Sequence, residues 1–110
     1  MSELYGVLIT PNRSIIPLKI IDADINQILY SEKTIISYTN CPHIKSEGIT
    51  IYFRNIANQN LPNYKNVISS QIAKRDIYGI AIIIFPTNQK DIIFSSNIDS
   101  YLEKLISMSK

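Results

Sequence analysis

Cys41-Pro42-His43 places the chain's one thiol and one imidazole two residues apart. A thiolate beside an imidazole is the chemistry of a nucleophile pair. Pro42 stiffens the spacer, and no further His exists to build a triad. A structural metal site takes four ligands. One Cys and one His cannot close such a site, although a symmetric dimer would supply two of each. The expected reading is an inert loop pair, with no metal.

The carboxylates offer no acid and base pair. Asp22 and Asp24 flank a helix start, where capping explains them. Asp76, Asp91, Asp99 and Glu103 fall at element ends or on helix faces. Gly6, Gly48 and Gly79 are isolated, which excludes a Walker or Rossmann phosphate loop. No Gly-x-Ser-x-Gly elbow is present. No catalytic residue and no cofactor is expected, and the chain leans away from being an enzyme.

The basic residues are scattered. Lys74-Arg75 is the only adjacent pair, at the end of a helix, where cations complement the macrodipole. Tyr52 with Arg54, and Tyr64 with Lys65, offer a small aromatic and basic surface of the kind that takes single-stranded nucleic acid. The stretch 55–66 carries Asn55, Asn58, Gln59, Asn60, Asn63 and Asn66. Amides donate and accept together, so such a loop suits a peptide or a nucleobase edge. The candidate nucleic-acid or ligand surface is therefore Tyr52, Arg54, Asn58, Asn60, Tyr64, Lys65, Lys74 and Arg75.

These residues need elements to position them. Leu4 to Thr10 reads as a strand ended by Pro11-Asn12. Ile15 to Ile21 reads as a second, at an edge because Pro17 lacks a ladder donor. Asp24 to Glu32 reads as a helix, with Ile25, Ile28 and Leu29 on one face. Thr34 to Thr39 and Ile49 to Arg54 read as strands, the latter alternating Ile49, Ile51 and Phe53 to one side. Asn66 to Arg75 reads as a helix. Ile77 to Phe85 is apolar on both faces and should be a central strand covered on both sides. Asp91 to Ser95 reads as a short strand closing a hairpin. Asn97 then caps a helix from Ile98 to Ser107, with Ile98, Tyr101, Leu102, Leu105 and Ile106 as its stripe. Gly6 and Gly79 are placed where neighbouring backbones approach closely.

The predicted fold is α+β: a mixed or mostly antiparallel sheet of about five strands with two to three short helices, in one domain over 1–110. With helices on one side, the other sheet face needs cover. The 110 residues are 45% hydrophobic with a formal net charge of +2, too apolar for disorder and too evenly charged for a dedicated nucleic-acid face. The longest apolar run, Ile80 to Phe85, is far short of a membrane span. With a lone Cys and an acidic residue near the start, a cytoplasmic, non-secreted protein is expected. Ile fills 24 positions and Asn 10. Ile, Asn and Lys have A/T-rich codons, which points to an AT-rich genome, such as those of many viruses and some bacteria and protists.

Ile49 to Asn55, Leu61-Pro62-Asn63, Ile72-Ala73 and Asp76-Ile77-Tyr78-Gly79 follow one another. This order resembles a small family of uncharacterised domains found in phages, large DNA viruses and some bacteria, in which a Leu-Pro-Asn type segment precedes an Asp-x-x-Gly strand. The resemblance covers most of residues 4 to 86. It implies a viral or mobile-element origin and carries over no catalytic residue.

Three functions follow as expectations. The first is a small non-enzymatic interaction module with a protein partner, or itself as a homodimer across the uncovered sheet face. The second is a weak nucleic-acid binder using Arg54, Lys65, Lys74 and Arg75. The third is a protein that sequesters or cleaves a small nucleotide signal.

Overall fold

The computed structural model describes residues 3–29, 35–40, 48–55, 65–86 and 90–108. Along the chain run β1 (Leu4–Ile9), β2 (Ile15–Ile20), α1 (Asp22–Leu29), β3 (Ile35–Asn40), β4 (Thr50–Asn55), α2 (Val67–Ala73), β5 (Ala81–Phe85), α3 (Lys90–Ile93) and α4 (Ile98–Met108). The strands form one five-stranded sheet in the order β2-β1-β5-β4-β3. Every pairing is antiparallel. The protein has an α+β fold.

β5 lies at the centre, as its sequence requires. Ile82 and Ile83 point to opposite faces, and both are fully buried. Burying an Ile side chain contributes about 1.5–3 kcal/mol. A strand apolar on both faces therefore gains only where helices cover both. On one face Val7, Ile9, Ile51, Phe53, Ala81, Ile83 and Phe85 meet α2, α3 and α4. On the other, Ile82 meets Ile25 and Leu29 of α1, with Leu18, Ile20, Ile36, Tyr52 and Ile80 around them. The expectation of a bare second face is thus corrected: α1 packs on it. Its spacing explains this, since Ile25 and Leu29 stand one turn apart and form a single apolar stripe.

A second correction concerns residues 91–95. The expected strand is instead the single turn α3, in which the Phe94 N–H donates to the Lys90 carbonyl at 3.3 Å. A hairpin partner for β5 has no place to go, because β1 and β4 already occupy both of its edges. β5 is also shorter than its apolar run. Gly79 bends the chain at φ 77°, and Tyr78 only bridges to Lys65. Gly79 thus supplies a positive φ, whereas Gly6 supplies the close approach: a side chain there would overlap the Ile83 carbonyl oxygen.

Asn66 ties the layers together. Its side chain is fully buried. Oδ1 accepts from the Ser69 N–H at 3.2 Å, capping α2. Nδ2 donates to the Ile9 carbonyl at 2.8 Å and to the Gly79 carbonyl at 3.0 Å. Its backbone N–H donates to Ile77 at 2.7 Å. Ser70 adds a second tie, donating to the Ile77 carbonyl and accepting from its N–H. Asn66 therefore serves the interior and not the surface amide cluster expected of the 55–66 stretch.

Two stability predictions follow from these contacts. Asn66→Ala strands two carbonyls and one N–H, and should cost about 2–4 kcal/mol in urea unfolding. Gly6→Ala forces β1 and β5 apart and should lower stability by at least about 2 kcal/mol, read as a fall in Tm with unchanged solubility of the unfolded chain.

Candidate functional site

The expected surface divides in two, because β4 alternates. Ile51 and Phe53 face α2, so Tyr52 and Arg54 point the other way, onto the face of α1. Lys65, Lys74 and Arg75 sit at the ends of α2, on the opposite side of the sheet. The sheet stands between the two sets, and they cannot form one surface. Asn58, Asn60 and Tyr64 lie outside the described residues, as do Cys41 and His43. The alternation of β4 and the inward Ile68 and Ile72 stripe of α2 together carried the signal for this division.

The basic corner is built by the C-terminus of α2 and the return of the chain. Lys65, Val67, Ser70, Gln71, Lys74, Arg75 and Asp76 line an open groove of about 330 Å³. Lys65 Nζ pairs with Asp76 Oδ1 at 3.0 Å. That hydrogen bond holds the Lys65 ammonium above its ordinary pKa. Both side chains are well exposed, so the pair adds little stability. The Arg75 guanidinium stacks 4.9 Å from the centre of the Phe53 ring, closing the edge of the main core. Lys74 ends α2 in the left-handed region, φ 56° and ψ 36°, with its N–H donating to the Ser70 carbonyl. Gly is the usual residue there, so Lys74 holds its place at some backbone cost.

The second site lies on the α1 face. α1 is eight residues long and leaves one corner of that face open. Thr10, Pro11, Asn12, Ser14, Ile16, Arg54, Gly79 and Ile80 line a groove of about 590 Å³. The floor is apolar: Ile80 is half-buried and Ile16 is 47% exposed. The rim is the β1–β2 turn. The Thr10 hydroxyl bonds Asn12 Oδ1, and the Ser14 N–H donates to Thr10 Oγ1 at 3.1 Å. On the far side stands Arg54, whose Nε donates to the Leu29 carbonyl at 2.8 Å. That contact caps the C-terminus of α1 with a cation, where the helix dipole favours one. The groove's turn and Ile16 were absent from the expected surface. Its sequence signal was faint: an apolar residue beside Pro17 on a strand with a charged neighbour.

Among the described residues no group of three or more His, Cys, Asp or Glu stands close enough to hold a metal ion. Among them, too, no helix is long and apolar enough to cross a membrane. No family model, no curated protein and no solved structure matches the chain. The site must therefore be judged on its own geometry.

Two substitutions separate structure from surface here. Arg54→Ala removes the charged hydrogen bond to Leu29 and should cost about 1–2 kcal/mol in urea unfolding. Lys74→Gly should instead stabilise the fold by about 0.5–1 kcal/mol, because glycine adopts the left-handed cap freely.

Proposed function

We propose that the chain is a small interaction module without catalytic chemistry, which holds a segment of a protein partner in the groove beside Arg54. The observation that carries this reading is the groove itself. It has an apolar floor, a hydrogen-bonding rim and one guanidinium, all positioned by the rigid sheet. Pockets that take peptide side chains combine such a floor with a few fixed polar groups. The matching segment carries an apolar side chain next to a carboxylate, because Arg54 favours an anion. The AT-rich composition and the domain resemblance support a viral or mobile-element source, acting inside a cell.

A nucleic-acid reading draws on the basic corner, where Lys65, Lys74 and Arg75 share one groove. It ranks second for a physical reason. Asp76 pairs with Lys65, Arg75 lies on Phe53, and Tyr52 and Arg54 are on the far face. Binding there would fall steeply with salt.

Panning the immobilised protein against a library of short peptides tests the first reading. The enriched sequences should join an acidic residue to an apolar one, and their binding should drop at least tenfold in Ile16→Asp while surviving Lys74→Ala. Enrichment that ignores Ile16→Asp, or that follows Lys74 and the salt concentration, would count against it.

A further inference from the structure

The sheet ends in two edges, β2 and β3, and they are built differently. β2 is guarded. Pro17 removes a ladder donor, and Lys19 places a charge on the edge, held to Glu3 at 3.3 Å. Such features block strand addition. β3 has the sequence Ile-Ile-Ser-Tyr-Thr-Asn, with no proline, no glycine and no charge. Its six residues pair with β4 in an unbroken register from Ile35↔Asn55 to Asn40↔Thr50, with no bulge to twist the edge away. Among the described residues no strand pairs with its outer side. Beside it Tyr38 is 64% exposed, tilted against Tyr52 with ring centres 6.0 Å apart. A groove of about 260 Å³, lined by Ile25, Ile36 and Tyr52 with Asp22 and Asn26 of α1 on its helix side, runs between this edge and α1.

We propose that β3 is a homodimerisation edge, at which a second copy of this chain adds its own β3 antiparallel to form a continuous ten-stranded sheet. The occupant is a second copy because the edge is self-complementary. A two-fold axis perpendicular to the sheet generates antiparallel pairing and keeps α1 on one face, and α2 to α4 on the other, in both copies. Residues directly opposite then lie on the same face, so Tyr38 stands against Ile36, Tyr38 or Asn40 of the second copy. Each option covers the exposed ring with an uncharged neighbour, and aromatic or β-branched cross-strand pairs are favourable. At β2 the same operation would set Lys19 near its own image. A lone pair of six-residue strands buries less than the roughly 1,600 Å² of a standard interface, so the dimer dissociates at concentrations on the order of tens of micromolar. This dimer is separate from the peptide groove, which opens at the end of the sheet beside the β1–β2 turn and reaches no closer to β3 than Arg54 on the neighbouring strand.

Sedimentation velocity across a concentration series tests the edge, together with hydrogen exchange at the lowest and highest concentrations. The native chain should shift from monomer to dimer mass, and residues 35–40 should gain at least tenfold protection while 15–20 do not change. Tyr38→Lys should remain monomeric and still melt cooperatively, with a Tm lowered only by the loss of the Tyr52 ring contact; Tyr38→Phe and Lys19→Ala should dimerise as the native chain does. A native chain that stays monomeric at several hundred micromolar overturns the proposal. So does a Tyr38→Lys dimer of native strength, or protection that appears around Ile16 and Ile80 instead of β3. The exchange pattern needs no variant, so it decides the matter even if Tyr38→Lys does not fold.

Discussion

The buried amide of Asn66 is the interaction on which the arrangement of layers depends. It caps α2 through Ser69, fixes the exit of β1 through the Ile9 carbonyl, and fixes the entry to β5 through the Gly79 carbonyl. No other side-chain type donates twice and accepts once in so small a volume. Remove it and α2 loses its cap and its side-chain bonds to Ile9 and Gly79, leaving Ser70 and the packing of Ile72 to hold it. The basic corner depends on that anchorage, because Lys65 precedes the cap and Lys74 and Arg75 follow the helix it starts.

The second constraint is the double-sided burial of β5. Its alternate residues supply both cores, so both sheet faces must be covered by helices. The two covers are unequal. α2, α3 and α4 close one face, while the eight residues of α1 close only part of the other. A groove results because a helix of two turns is narrower and shorter than a five-stranded sheet. Arg54 sits at that boundary, where it serves the end of α1 and borders the groove at once.

Antiparallel order also leaves the sheet with exposed ends. Among the described residues β2 and β3 end the strand order and do not pair with each other, so the sheet is open and has two edges. Pro17 and Lys19 suit β2 to solvent, whereas the uncharged β3 suits contact with another strand. The difference between the two edges, and not the apolar content of either face, is what the proposed dimer rests on.

Much of this was legible in residues. The alternation of Ile49, Ile51 and Phe53, the two-faced run through Ile82 and Ile83, the proline at the second strand and the stripe Ile98, Tyr101, Leu102 and Leu105 each reflect local geometry with a fixed period. Periodicity says which residues share a face, but not which element lies against that face. So the helix over Ile25 and Leu29 is legible in the sequence while its place on the second face is not, and only the folded sheet separates Arg54 from Lys65. A short apolar run such as Ile92-Ile93 is equally at home in a strand or a helical turn, and only the occupied edges of β5 decide for the turn. Asn66 looked like one surface amide among several. Its burial arises from the meeting of Ile9, Ile77 and Gly79, which are distant in sequence and adjacent only once the chain has folded.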